Sequence, residues 1–403
     1  MKTRIMGIFG MGKKMLMIHG GGPTAVMNAS LYGAVIEAKK HQDVEIYAAI
    51  GGTGGVLRER LRSLNDVPQE ELALLLTTPG SAIGTSRDPL EEKDYERMAR
   101  VLRRHGITHV LCNGGNGSME MCGKLHTACQ KDGYDIGVMG IPKTMDNDLA
   151  ETDHSPGFGS AARYIARSVQ ELCADVKGLP IHVVILETCG RNAGWVTAAS
   201  ALARKNPGDG PDLIYLPERP FVEEEFLQDV AQLIEKKKGG VVVVSEGLTT
   251  PEGKNIVPPI LQVGRSVYYG DVSAYLAGLV VQKLGYKARS EKPGLLGRSS
   301  ISLQSPVDRE EARMTGEMAC RAVLAGETGK MVAIRRLSSA PYKVELYLAE
   351  IEQVMLTEYK MPDSFINDRG NDVTDAFVQW CAPLLGDDLP QMISWNDNKD
   401  WEE

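Results

Sequence analysis

Along most of the chain, short apolar runs alternate with longer stretches whose apolar residues recur at helical spacing. The runs Met15–His19, Val44–Ala49, His109–Asn113, Ile136–Gly140, Ile181–Glu187, Asp212–Leu216 and Gly240–Ser245 read as strands. Between them, Thr24–Lys40, Leu90–His105, Ser118–Lys131, Ser160–Lys177, Glu223–Lys238, Ser273–Leu284 and Arg309–Ala325 read as helices. Strands this uniformly apolar are covered on both faces, which is the condition of a parallel sheet with helices above and below. The fold class expected is therefore α/β. Internal repeats and low-complexity tracts are missing from the sequence. Gly- and Pro-containing turns at Asn206–Pro211 and Thr249–Gly253 are the candidate domain boundaries. The tail from Val373 is acidic and carries Trp380, Trp395 and Trp401, and it reads as a packed or frayed terminus.

Composition narrows the class. A chain of 403 residues, at about 150 residues per domain, makes two or three domains with cores of their own. The net charge of −8 argues against a nucleic-acid or membrane-surface partner, and neither is expected. No apolar run reaches the roughly 18 residues of a membrane helix. Seven cysteines, an odd number without a CxxC pair, fit a reducing, cytoplasmic setting better than a disulfide framework or a zinc site. Met1–Lys14 has a short apolar patch but not the pattern of a signal peptide. The fold is expected to begin near Met15, with the first ten residues an upstream start or an addition.

The 43 glycines matter through their placement. Gly20-Gly21-Gly22-Pro23-Thr24 follows the first strand and opens a helix. Gly114-Gly115-Asn116-Gly117-Ser118 follows the third strand and opens another. Pro142-Lys143-Thr144-Met145-Asp146-Asn147-Asp148 follows the fourth. In open parallel sheets ligands bind beyond the carboxyl ends of strands. Glycine lets backbone N–H groups approach an anion, and a helix N-terminus adds positive potential. Two such turns side by side suit a polyphosphate. The third loop brings two carboxylates, an amide, a hydroxyl and an ammonium, which is equipment for phosphoryl transfer. Each turn alone is as well explained by tight strand-to-helix geometry. Arg87, Arg191, Arg289 and Arg298 are candidate anion ligands, and Glu246 stands at a strand end.

These motifs, in this order, resemble the phosphofructokinase family from about Met15 to about Ala325. The elements carrying the likeness are Gly21–Asn28, Gly84–Arg87, Gly114–Ser118, PKTMDND at Pro142–Asp148, Gly190-Arg191, Ser245-Glu246 and Arg289–Arg298. NAD kinases and lipid kinases share a loop like Gly114–Ser118 but lack PKTxDND. The resemblance implies two Rossmann-like lobes with mainly parallel sheets flanked by helices. It implies a phosphoryl-donor lobe over residues 15–155 plus part of the C-terminal third, a sugar-phosphate lobe over 156–300, and a C-terminal extension over 326–403. It implies transfer of a phosphoryl group to the 1-hydroxyl of fructose 6-phosphate or a related sugar phosphate, with Mg²⁺. Asp146 is then the general base, with Lys143 and Arg87 beside it in catalysis. Gly22, Arg87, Gly115, Asn116, Gly117 and Ser118 line the donor site. Thr144, Asp146, Asp148, Cys189, Gly190, Arg191, Glu246, Arg289 and Arg298 hold the acceptor, and Asn116 and Asp148 hold the metal. A homodimer or homotetramer is implied, since relatives complete the sugar site across an interface.

The chain departs from the family at several positions. Asn116 replaces the metal-site Asp and drops a charge. Gly117 stands where pyrophosphate users carry Asp, and the missing steric block gives ATP a slight preference as donor. Lys143, Thr53, Met121 and the loop GGPTAVMNAS are closer to the pyrophosphate branch. Leu295 and His182 stand where relatives place polar phosphate contacts, which leaves another sugar or a polyol open as acceptor. A non-catalytic phosphosugar or nucleotide sensor is the alternative. A Rossmann oxidoreductase is disfavoured because a clean GxGxxG with its acidic partner is missing. His19, His109 and His154 read as structural, Cys189 as packing beside the substrate, and Lys236-Lys237-Lys238 as a solvated helix end.

Overall fold

The computed structural model describes residues 12–263, 266–355 and 357–395. The start of the Met1–Lys14 segment (residues 1–11) and Trp401 lie outside the described residues. The strands are β1 (Lys13–His19), β2 (Val44–Ala49), β3 (Leu61–Ser63), β4 (His109–Gly114), β5 (Gly137–Pro142), β6 (Val183–Thr188), β7 (Leu213–Tyr215), β8 (Gly240–Ser245), β9 (Pro259–Val263), β10 (Ser266–Tyr269), β11 (Ala288–Glu291), β12 (Lys330–Ser339) and β13 (Tyr342–Glu350). They form a seven-stranded sheet ordered β13-β12-β5-β4-β1-β2-β3, a four-stranded sheet ordered β11-β6-β8-β7, and the hairpin β9-β10. The core of the first sheet and all of the second are parallel; β3 and β13 are antiparallel edges.

Strand β1 shows why the sheet is covered twice. Met15 and Met17 point into one core cluster, while Leu16 and Ile18 point into another on the opposite face; all four are fully buried. Each such side chain contributes about 1.5–3 kcal/mol by leaving water. The helices Met27–Ala38 and Pro306–Leu324 pack together on one face of the sheet. Their approach requires glycine on both sides: a Cβ on Gly33 would lie 2.0 Å from the Arg313 carbonyl oxygen, and one on Gly316 would lie 2.0 Å from that of Ser30. Helix Glu92–His105 is bounded by local chemistry, a Glu91/Asp94 capping box at its start and left-handed Gly106 at its end.

The register sets up the rim. His19 lies opposite Asn113, and Gly114 lies opposite Pro142, so β1, β4 and β5 end level. Thr188 of β6 pairs with Ser245 of β8, so the loops beginning at Cys189 and Glu246 also start side by side.

Six strands, namely β3, β9, β10, β11, β12 and β13, are not among those read from the sequence. The Gly/Pro-containing segment with Arg289 includes the short edge strand β11. More consequentially, residues 330–350 form a hairpin that extends the first sheet, with β12 parallel to β5. Its outer halves alternate half-buried and exposed positions, so they lack the continuous apolar run that marks the other strands. The tail is packed: Trp195, fully buried, is ringed by Phe158, Tyr359, Phe365, Phe377 and Trp380 at centroid distances of 4.9–6.4 Å. Trp395 is exposed. Among the described residues, no helix is long and apolar enough to cross a membrane.

Candidate active site

The level ends of β1, β4 and β5 open on a cleft of about 710 Å³. The expected donor residues Gly22, Arg87, Gly115, Asn116, Gly117 and Ser118 line it, together with Lys143, Thr144, Asp146, Asp148 and Arg298. The first loop is pinned to the Arg87 segment by backbone: Gly21 N–H donates to Ser86 O at 3.1 Å, and Thr85 Oγ1 donates to Gly21 O at 2.8 Å.

Three cations converge on Gly22. Lys143 Nζ donates to the Gly22 carbonyl at 2.6 Å. A Cβ on Gly22 would meet an Arg298 guanidinium nitrogen at 2.5 Å and one of Arg87 at 3.2 Å. A side chain at this position would have to push the ends of both guanidinium groups aside. Lys143 is 3% exposed. Burial lowers its pKa to about 8; Arg87 and Arg298 press the same way, against the pull of Asp146 and Asp148. This concentration of positive charge is a seat for a polyanion. Arg298, expected beside Arg289, instead faces the donor loops, because the short helix Leu296–Ser299 carries it back across the cleft.

Asp146 sits half-buried on the cleft wall, its backbone N–H donating to Thr144 Oγ1 at 3.1 Å. Burial raises its pKa to about 7, with Asp148 and Glu246 adding to the rise. Asn147 takes the left-handed conformation with φ of 55°, which Asn tolerates better than most residues, and its Oδ1 accepts from Ser155 N–H at 2.8 Å. That turn aims Asp146 and Asp148 into the cleft. Asn116 Nδ2 donates to the carbonyl and Oδ2 of Asp148 at 3.2 and 3.1 Å. Asn116 Oδ1 and Asp148 Oδ1 are buried with no hydrogen-bond partner among the described residues.

The second sheet brings up Cys189, Gly190, Arg191 and Glu246. Ser245 Oγ donates to Gly190 O at 2.7 Å, which locks the two loops together. Glu246 is raised by burial and by Glu187, against Arg191 and Lys292, and its charge in turn acts on Asp146. Glu246 and Cys189 stand near enough to Asp146 to feel its charge, Arg191 lies over the Tyr269 ring at 4.9 Å, and none of the four is among the residues that line the cleft. Burial pushes the Cys189 thiol up to about 12, so it is a packing group and not a thiolate nucleophile. Arg289 does not join them. It lines a separate surface groove with Val281 and Gln282, because β11 is the exposed edge of its sheet.

Two of the histidines near the loops, His19 and His154, are buried and hydrogen-bonded within the fold. His19 is buried, held by Ser81 Oγ at 2.8 Å and pushed down to about 3 by burial and Lys143. His154 is buried between Glu311 at 2.7 Å and Asp153 at 2.8 Å. Asp88 was not marked by the sequence. Its carboxylate accepts from Thr53 Oγ1 and Gly54 N–H, both at 2.7 Å, and so fixes the chain next to Arg87. Thr53 and Asp88 are separated by 35 residues, and no local pattern announces the pair.

Residues 14–323 match the sequence model of the phosphofructokinase family. The chain is similar to a pyrophosphate–fructose 6-phosphate 1-phosphotransferase of Xanthomonas campestris pv. campestris, 38% identical over 93% of this chain and 92% of that protein. It is also similar to a sulfofructose kinase of Alkalicoccus urumqiensis, 33% identical over 92% of this chain and 94% of the relative. Among solved structures, a pyrophosphate-dependent phosphofructokinase from Nitrosospira multiformis superposes with a TM-score of 0.86 at 34% identity, over 96% and 95% of the two chains. A cleft whose cations and carboxylates stand at level strand ends, on a fold shared at that depth, settles the kinship: the chain belongs to the phosphofructokinase family and is a phosphotransferase of that type.

Proposed function

We propose that the protein transfers a phosphoryl group between pyrophosphate and the 1-hydroxyl of fructose 6-phosphate or a closely related ketose derivative. The observation that carries this is the convergence of Arg87, Lys143 and Arg298 on Gly22, opposite Asp146. Three fixed positive charges match a compact inorganic polyanion. Met121 lines the same cleft with a buried side chain, where a nucleoside needs room. Relatives named for pyrophosphate support the same donor. The slight preference for ATP drawn from Gly117 therefore gives way, although Gly117 does leave open space: a Cβ there meets nothing within 4 Å. ATP stays as the second reading on that observation.

In this reading Asp146, poised near neutrality, accepts the proton of the attacking hydroxyl. Arg87, Lys143 and Arg298 stabilise the charge on the transferring phosphoryl and its leaving group, with little covalent work. Thr144 holds Asp146 through its hydroxyl. Cys189, Gly190, Arg191 and Glu246 cradle the sugar. The residues present suit Mg²⁺: the unpartnered oxygens of Asn116 and Asp148 would hold it, together with phosphate oxygens. When bound, the ion offsets polyphosphate charge. The expected homodimer or homotetramer belongs to the same proposal, since Arg289 on the exposed edge β11 is placed to serve a neighbouring copy rather than its own cleft.

A coupled assay tests this by crossing pyrophosphate and ATP with fructose 6-phosphate, other ketose phosphates, sulfofructose and free polyols. Turnover with pyrophosphate and a ketose phosphate is expected. Turnover with ATP but not pyrophosphate would overturn the donor, and ligand binding without transfer from either donor would make the protein a sensor.

A further inference from the structure

The segment Glu358–Met361 lies beyond the residues that match the family, and the sequence assigns it no role. In the structure it crosses between the two sheets beside the cleft. Glu358 pairs with Leu149 in an isolated antiparallel bridge, and Tyr359 N–H donates to the Asp148 carbonyl at 2.8 Å. Those contacts fasten it to the loop that carries Asp146 and Asp148. On the other side, the Glu358 carboxylate accepts from Asn192 Nδ2 at 2.8 Å, immediately after Arg191. The Tyr359 carbonyl accepts from Trp195 Nε1 at 3.4 Å, and the two rings stack at 5.2 Å with an interplanar angle of 27°. Glu218 Oε1 accepts from both Gly194 N–H at 2.8 Å and Met361 N–H at 3.3 Å.

The loop after β5 and the loop after β6 belong to different sheets, and no ladder hydrogen bond fixes their spacing. Phosphoryl transfer is sensitive to that spacing: a misplacement of about 1 Å can cost about 100-fold in rate. Glu358 touches both loops at once, with its backbone on one and its carboxylate on the other.

We propose that Glu358 is a positioning residue for the reaction: its bridge to Leu149 and its hydrogen bond to Asn192 set the distance between the Asp146 loop and the Arg191 loop. It touches no reacting atom. The inference rests on the reading of Asp146 and Arg191 as acceptor-side groups of a phosphotransferase.

Steady-state kinetics on the full chain test it, with Glu358→Ala, Glu358→Gln, Asn192→Ala and the double variant. Both side chains are exposed, so the hydrogen bond is worth little by itself and the loss comes through loop spacing: the acceptor KM should rise and kcat fall, so that kcat/KM for the acceptor falls about threefold to tenfold. The donor KM should stay within about twofold, since the donor loops are not touched. Glu358→Gln keeps an acceptor oxygen for Asn192 and should recover most of the loss. Asn192→Ala should reproduce Glu358→Ala, and the double variant should be no worse than either alone. Unchanged acceptor kinetics in Glu358→Ala would overturn the proposal. So would additive losses in the double variant, or a fall in kcat alone accompanied by a lower unfolding midpoint. If Glu358→Ala does not fold, Asn192→Ala and Glu358→Gln decide by the same criteria. A wild-type chain without turnover overturns the parent reading and this one together. An active wild type with an unaffected Glu358→Ala variant overturns this one alone.

Discussion

Lys143 is held in its charged form against its surroundings. Replacing it with methionine should therefore make the protein more stable and nearly inactive. Burial and two neighbouring guanidinium groups bring its pKa from 10.5 to about 8. At 1.36 kcal/mol per pH unit, that fall corresponds to about 3 kcal/mol of destabilisation carried by the charged form below pH 8. The sign follows from proton counting. Between pH 8 and 10.5 the unfolded chain binds more protons at this site than the folded one, so wild-type stability rises with pH through that window. Methionine removes the charge and keeps most of the volume, but it forfeits the hydrogen bond to Gly22 O, worth about 1 kcal/mol. The net expectation is about 2 kcal/mol of added stability at pH 7. Turnover should fall about 100- to 1000-fold, the usual cost of losing one preorganised charge on a developing anion. Urea denaturation of both proteins at pH 7 and pH 10, with and without pyrophosphate, reads all of this. The variant's advantage should shrink at pH 10, and pyrophosphate should stabilise the wild type more than the variant. A Lys143→Met protein that is less stable at pH 7, or that gains as much from pyrophosphate as wild type, would refute the reasoning.

Other expectations follow from the same geometry. Asp146→Asn should retain the circular dichroism and unfolding midpoint of wild type and lose about 100- to 10,000-fold in turnover, and a wild-type rate would remove the base assignment. For the wild type, kcat/KM should rise with pH through about 7 as Asp146 loses its proton and fall above about 8 as Lys143 loses its own; a profile flat from pH 6 to 9 contradicts both assignments. Gly117→Asp should fit into open space, keeping pyrophosphate-dependent turnover while abolishing any turnover with ATP, and the opposite pattern in a two-donor assay would exclude pyrophosphate. Gly33→Ala places a carbon 2.0 Å from the Arg313 carbonyl and should cost about 1–3 kcal/mol by overpacking, visible as a lower urea midpoint; an unchanged midpoint would show that the two helices separate freely.

Much of the cleft was legible because its chemistry is contiguous. Gly20–Thr24, Gly114–Ser118 and Pro142–Asp148 each begin at the end of a uniformly apolar strand, so periodicity alone puts them on one rim. What stayed hidden depends on pairs distant in sequence. Thr53 with Asp88, and Asn192 with Glu358, become partners only when separate loops meet. The hairpin β12-β13 stayed hidden for another reason: its continuous buried run is only Met331–Ile334, and beyond it half-buried and exposed positions alternate instead of forming the long apolar run by which the interior strands are recognised. Arg289 and Arg298 share one short segment and suggest one shared task. A tight turn between them sends the side chains to different faces of the molecule.

Strand β12 has a bearing on biosynthesis. It pairs in parallel with β5, nearly two hundred residues earlier, so β5, which leads into the Asp146 loop, lacks its last neighbour until the ribosome has passed residue 331, and the sheet is complete only after residue 350. Until then β5 offers bare N–H and C=O groups along one flank, a template for pairing with other chains. Prematurely terminated chains should accordingly be caught by chaperones or proteases rather than accumulate as partly working enzyme.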